Sequence, residues 1–499
     1  MPYLSAKLRY PLKIMFKKVC FLFCLIFSLN ACHKQEADLL QDIRFAVAQA
    51  PINLDPRYAT DAASARVNRL LYRSLVGFDT SSKPIADLAN WQVVSPTQYR
   101  FHLSKAGRTY HDGTSLSAKD VKSTYESLLA LKDSPLSGEF ANISRIQILD
   151  DNTLDFYLKA ADYDFPAKLI IGILPASQIS QGRDFSHHPL GSGSLSFVSW
   201  TNTLQLKRVT DSQIITLLEV KDPTVRILKL MRGEVDILQG DLPPELVRYL
   251  KTQPNINLTE SNGANFSYLG FNLQDKTLAN LKVRQAIALA INRPEIIQQA
   301  LVGGSREAGA ILPPEHWAGN KSLESYAYNP ALSKQLLKEA GVELPLHLVY
   351  KTSTDAQRVR LATIIQAQMA EAGIALEIKS LDWGTFFEDV KQGHFQLFGL
   401  TWVGINTPDI YAKAFGSDNA PPKGFNRGRF SNAQLDALLA EQDWKAATNI
   451  IHQQLPYVPL WYEGQFAATR ANISQYAPKP DGNWDDLANV VRITSTSTH

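Results

Sequence analysis

Two hydrophobic periods alternate along this chain and outline its elements. Ile43, Phe45 and Val47 fall at every second position of 43–48, which predicts a strand with those three on one face. Tyr99, Phe101 and Leu103 repeat the pattern. Ile146 and Ile148, then Asp150-Asp151-Asn152, then Leu154, Phe156 and Leu158 read as a β-hairpin. Ser117 with Asp120 marks a helix start, with an acid near the positive end of the dipole. Val121, Tyr125, Leu128 and Leu129 then share one helical face. Further on, helix and strand alternate. Asp222-Pro223 supplies a cap and a first-turn proline for a helix ending at Gly233, followed by a strand over 235–238. Asn329-Pro330 opens a helix ended by Gly341. Residues 355–372 form another, with Gly373 as its C′ residue, before a strand over 374–378. Val283, Ala286, Ile287, Ala290 and Ile291 form a core stripe. Asn292 with Glu295, and Ser431 with Gln434 ahead of Leu435, Leu438 and Leu439, read as capping boxes. There is no internal repeat and no low-complexity linker. The alternation predicts a mixed α/β fold.

Length and charge change this picture mainly at the N-terminus. The 499 residues exceed what one core supports, so two or three domains are expected. Lys17-Lys18, the apolar run from Val19 to Leu29, and Leu29-Asn30-Ala31-Cys32 make an export signal over residues 1–31. Met15 to Cys32 alone would make a complete signal. The apolar run is shorter than the roughly 20 residues of a spanning helix. The Leu-Asn-Ala-Cys site resembles the lipobox of bacterial lipoproteins, which implies diacylglycerol on the Cys32 thiol and a polar tether over 32–42. His33, rather than Asp, follows that cysteine; in that family this permits outer-membrane sorting, so either membrane stays open. Cys20 and Cys24 lie in the signal, so the remaining body has no cysteine for a disulfide or thiolate metal site. The net charge of +3 becomes −2 once the five cations of residues 1–31 are set aside. Nothing in that balance favours nucleic acid.

Three later segments carry a second resemblance. They are Thr109-Tyr110-His111-Asp112-Gly113-Thr114 with Ser117 to Val121; Asp222-Pro223-Thr224-Val225-Arg226 with Leu230 and Gly233-Glu234-Val235-Asp236; and Phe271-Asn272-Leu273 with Val283-Arg284-Gln285-Ala286-Ile287. In that order, behind a lipobox, they resemble the extracytoplasmic solute-binding proteins of peptide-type ABC importers. The resemblance implies a two-lobed periplasmic-binding-protein-like α/β fold with a hinged cleft and an extra small domain. Mapped here, the first lobe takes 40–84, 185–262 and 472–499. The extra domain takes 85–184, and the second lobe 263–471. The resemblance also implies capture of peptide in the cleft, docking of the closed monomer on a permease with ATPase subunits, a periplasmic or cell-surface location, and no bond chemistry.

Peptide-binding members often carry Trp-x-x-Asp, whose acid pairs with the ligand's α-ammonium. Here the segment is Trp402-Val403-Gly404-Ile405, so the acid is replaced. Asp409, in Asn406-Thr407-Pro408-Asp409, is the nearest substitute; its other role is to cap the helix that follows. Trp402 fits an aromatic pocket wall. Arg358 and Arg360 offer guanidinium forks for a ligand carboxylate, or else a solvated helix face. Trp383 and Trp461 are further aromatic candidates, with core packing as the alternative. Asp112-Gly113 is a turn dipeptide rather than part of a catalytic site. His187-His188 lacks a third metal ligand, and Gly191-Ser192-Gly193-Ser194 lacks the Lys of a phosphate loop. No catalytic residue, metal site or cofactor is expected. Peptide uptake leads. A receptor for nickel chelate, haem or a short sugar, a signalling or scaffold lipoprotein, and a hydrolase are the competing functions.

Overall fold

The computed structural model describes residues 42–59 and 61–493; the expected export signal, Cys32 and nearly all of the expected tether lie outside them. In spatial order its largest sheet runs Ile374–Leu381, Leu346–Ser353, Leu397–Trp402, Ile256–Phe271, Tyr457–Arg470, Ile237–Gln239, Ile43–Val47, Ile214–Glu219, Leu204–Arg208 and Leu195–Trp200. The first three strands are mutually parallel. So are Ile43–Val47 and its two neighbours. Two separate pairs of apolar clusters cover this sheet. Phe271, Ile287, Leu348, Ile365 and Leu397 belong to a cluster at one end, with Tyr268, Phe386, Phe398 and Tyr411 in the cluster beside it. Phe45, Val67, Ile215 and Ile237 belong to a cluster at the other end, with Ala46, Leu230 and Leu250 beside it. The chain thus folds into two lobes that share one continuous sheet.

The Ile43–Val47 strand departs from the expected one-sided alternation. Phe45 and Val47 enter one cluster while Ala46, 1% exposed, enters the other. A strand flanked by parallel partners is covered on both faces, so its polar alternation disappears.

A smaller four-stranded antiparallel sheet, ordered Ala89–Ser95, Gln98–Leu103, Thr153–Leu158, Ile143–Asp150, packs against the helix Ala118–Ala130. Phe156 is met edge-on by Phe101 at 5.4 Å and by Tyr125 at 5.5 Å, the edge-to-face geometry that aromatic rings prefer. Asp120 accepts the Ser117 N–H at 2.7 Å, as its position requires, and also the Ala176 N–H at 2.7 Å.

Most of the expected caps form. Asp222 accepts from the Val225 N–H, Asn292 from Glu295 and Asn329 from Leu332. The expected Ser431 box does not. Asn432 caps the helix Ala433–Ala440 by accepting the Leu435 N–H at 2.9 Å, while the Ser431 hydroxyl receives a hydrogen bond from Ser417. The strand expected over 235–238 is Ile237–Gln239.

The segments that carried the family resemblance are structural ties. Asp112 closes a turn on Thr114, and the ring Nε2 of His111 donates to the Gly193 carbonyl. Gly191 and Gly193 must be glycine here, since a Cβ would lie 1.9 and 2.2 Å from the carbonyls of Leu71 and Leu70. Arg226 donates to the carbonyls of Val220 and Lys221. Arg284 spends its fork on the carbonyls of Leu278, Ala279, Gln454 and Leu455, and burial lowers its pKa to about 10.

Two strands, Ile256–Phe271 and Tyr457–Arg470, pass from lobe to lobe side by side. Their pairing breaks between Ser261 and Asn265, opposite Gln465 and Glu463. The break is packed with glycine. A Cβ on Gly464 would sit 2.3 Å from the Gly303 carbonyl, and one on Gly263 would sit 1.5 Å from that of Glu463.

Candidate functional site

The parallel strands Leu346–Ser353, Ile374–Leu381 and Leu397–Trp402 end together. Phe266–Trp402 is the register pair of the central strand nearest the break at Asn265, so these carboxyl ends face the other lobe. In open α/β sheets, the crevice beyond the carboxyl ends of the strands is where ligands bind. Asp355 and Asp382 then cap the helices Ala356–Glu371 and Trp383–Gln392 through the N–H groups of Arg358 and Thr385. This local chemistry brings Arg358, Trp383 and Trp402 to one rim.

Arg358 forms an ion pair with Glu463 at 3.1 Å. The same carboxylate oxygen accepts the hydroxyls of Ser267 at 2.7 Å and Thr401 at 3.0 Å. Beneath them Tyr350 is buried, which pushes its phenol up to about 12, with Arg358 acting in the opposite sense. Trp402 is half-buried against Tyr268 in a stacked pair at 6.4 Å. Trp383 is 58% exposed and stacks on Phe387 at 5.3 Å. Ile405 packs on the apolar cluster behind Trp402.

The remaining candidates are placed apart. Asp409 is the first residue of the helix Asp409–Phe415, not its cap; it pairs with Lys413 at 2.7 Å and accepts the Thr407 hydroxyl. The Asn406 carbonyl accepts from His316 Nε2 at 3.0 Å, and burial lowers the pKa of that histidine. Arg360 pairs with Glu245 of the other lobe. Trp461 is 1% exposed and belongs to the core.

Two residues of the rim escaped the sequence reading. One is Glu463, which holds Arg358. The other is Arg427, whose guanidinium lies 4.5 Å from the Trp402 ring and donates to the Tyr268 hydroxyl at 2.9 Å. The signal was a Phe-Asn-Arg run between glycines, Gly424 and Gly428.

The lobes also touch elsewhere. Arg248 donates to the Gln299 carbonyl at 3.2 Å, and the Trp317 N–H donates to the Ser81 carbonyl at 2.9 Å. Burial and the neighbouring charge of Asp409 push the Asp164 carboxyl up to about 6. Among the described residues no cluster of metal-ligating side chains occurs and no helix is long and apolar enough to cross a membrane.

The model of the bacterial extracellular solute-binding proteins, family 5 Middle, matches residues 83–421. The chain belongs to that family. Its members are substrate-binding proteins of ABC importers rather than enzymes, and this solute-binding protein is accordingly an extracytoplasmic one. It is 27% identical to a heme-binding protein A of Haemophilus influenzae over 88% of this chain and 90% of that one. It is also 27% identical to a dipeptide-binding protein of Escherichia coli over 87% of this chain and 91% of that one. Its fold is similar to that of HbpA2 from Haemophilus parasuis, with a TM-score of 0.79 at 23% identity, covering 91% of this chain and all of that one. Such structural neighbours are two-lobed periplasmic binding proteins.

Proposed function

We propose that this solute-binding protein is a lipoprotein, anchored through Cys32 in the periplasm or at the cell surface, that captures oligopeptides between its lobes and delivers them to a permease. The observation that carries this reading is the rim itself: a guanidinium, Arg358, beside the aromatic walls of Trp402 and Trp383 at the carboxyl ends of three parallel strands. A planar fork takes a terminal carboxylate in two parallel hydrogen bonds. Aromatic faces accept side chains of varied identity. A solute favours closure only by touching both lobes better when they are shut. The lipid would hold the protein at the membrane without a spanning helix, given the two or more chains that stable anchoring requires.

Ile405 favours a second reading. With an apolar residue where peptide binders place an acid, the grip on an α-ammonium is weaker, and a haem or nickel chelate becomes the alternative solute. A pool of short peptides at about 100 times the dissociation constant adds about 2.7 kcal/mol, a clear rise in melting temperature. Trp402→Ala should abolish that rise. A wild-type protein indifferent to peptides of every length, yet stabilised by haem or a nickel chelate, would decide for the second reading.

A further inference from the structure

Arg427 lies among three aromatic rings, one of them Trp402, whereas Arg66 and Arg145, which also lack an acid partner among the described residues, each lie over a single ring away from the rim. Among the described residues no carboxylate pairs with Arg427, and its one side-chain hydrogen bond goes to the Tyr268 phenol. Arg284 also lacks an acid, but four carbonyls fill its donors. A guanidinium has five N–H donors and no acceptor, so most of the Arg427 donors remain unspent. Its flat faces are occupied instead. The guanidinium carbon lies 4.5 Å from the Trp402 ring centre, 5.5 Å from that of Phe387 and 5.7 Å from that of Phe425. A guanidinium stacked in this way makes its hydrogen bonds from its N–H edge, and only one of them is taken, by the Tyr268 phenol.

The loop holding it is stiff. Asn426, 1% exposed, donates to the carbonyls of Gly416 and Phe430 and accepts the Phe430 N–H. The Leu273 N–H fixes the Gly428 carbonyl. Beside Arg427 lies a cavity of about 30 Å³, also lined by Tyr268, Phe398, Trp402 and Phe425. That is room for one or two small polar atoms rather than a residue. Phe425, 45% exposed, leaves the collar open beside the end of the Trp402 strand.

We infer that Arg427, in its collar of Trp402, Phe387 and Phe425, is a second anion subsite of the rim that takes a carboxylate carried by the solute. The inference rests on the peptide-capture reading and narrows it to peptides with an acidic side chain. Arg358 meets Glu463 through one nitrogen and keeps the rest of its fork for a terminal carboxylate, while Arg427 faces no carboxylate among the described residues and adds a second positive charge to the rim. A preformed, half-desolvated guanidinium binds a carboxylate more strongly than an exposed one does.

The test is calorimetric titration of the full-length protein with tripeptides carrying Glu, or its neutral isostere Gln, at each position in turn. One Glu peptide should bind about tenfold or more tightly than its Gln twin, as one charged hydrogen bond is worth. Arg427→Gln should erase that ratio, bringing the Glu peptide to the affinity of its Gln twin in the same variant. Arg427→Lys should keep part of the ratio, since it retains the charge while losing the planar fork. Melting curves of both variants would report any loss of fold, and in that event the ratio retained by whichever variant still melts like wild type decides. Equal affinities for Glu and Gln peptides in the wild type, or a ratio that survives in Arg427→Gln, would overturn the subsite alone. If none of the peptides binds, the peptide reading falls and takes the subsite with it.

Discussion

Asp236 has no exposed surface, and two guanidiniums decide its state. Burial works to raise its pKa, but hydrogen bonds from Arg492 and Arg44 outweigh burial and hold it below the usual carboxylate range. Three segments far apart in the chain are tied at this one side chain. Arg492→Ala leaves a half-compensated buried charge and should cost about 3 kcal/mol in a urea titration at neutral pH. A carboxylate whose folded pKa is depressed stabilises above its unfolded value and loses that stabilisation as pH falls through the folded one. The gap between wild type and variant should therefore hold at neutral pH and narrow only in acid below the ordinary carboxylate range. At this scale legibility in the sequence was uneven. Arg358 and Trp402 were readable as candidates because Trp402 opens the segment that resembles Trp-x-x-Asp and Arg358 begins the helix expected over 355–372. Glu463 and Arg427 could not, because what matters about them is a partner set by sheet register or loop packing. Glu463 reaches Ser267, 196 residues away in the chain.

Caps were the most legible elements, since a cap is a contract between residues two or three apart. Asp222, Asn292 and Asn329 all act as expected, and the slip from Ser431 to Asn432 arose where two good capping residues adjoin. The long strand Ile256–Phe271 was illegible. Its middle, Glu260-Ser261-Asn262-Gly263-Ala264, has no apolar alternation because it lies between the lobes rather than over a core. There the backbone itself makes the contacts, and glycine lets the strands pass. Gly464→Ala would place a methyl group 2.3 Å from the Gly303 carbonyl and 2.4 Å from the Ser305 nitrogen. Backbone on both sides has little room to yield, so this variant should melt several degrees lower. Its small-angle scattering profile should also respond less to ligand than that of wild type.

Asp164 adjoins Phe165 in the core of the four-stranded sheet and Asp409 lies in the lobe of the rim, so burial and then repulsion between these two carboxylates bear on how two parts of the molecule meet. With a folded pKa of about 6 against an ordinary 3.8, Asp164 is penalised when ionised. That penalty is complete above pH 6, shrinks as pH falls toward 4 and is gone below the unfolded value. Asp164→Asn should therefore raise the melting temperature at pH 7.5, and the gain should fade by pH 4. No rise at pH 7.5 would mean that Asp164 is hydrated, and kept from Asp409, well enough to ionise without penalty. The division of the molecule into lobes has a further consequence, because the two long strands are common to both. Neither lobe owns a complete sheet. Recombination between relatives cannot exchange a pocket-bearing lobe as a self-contained cassette, since any crossover within 256–271 or 457–470 must splice a new backbone into two hydrogen-bond ladders at once. Specificity in this architecture is therefore free to diversify by point changes around a rim, while the paired strands are inherited together.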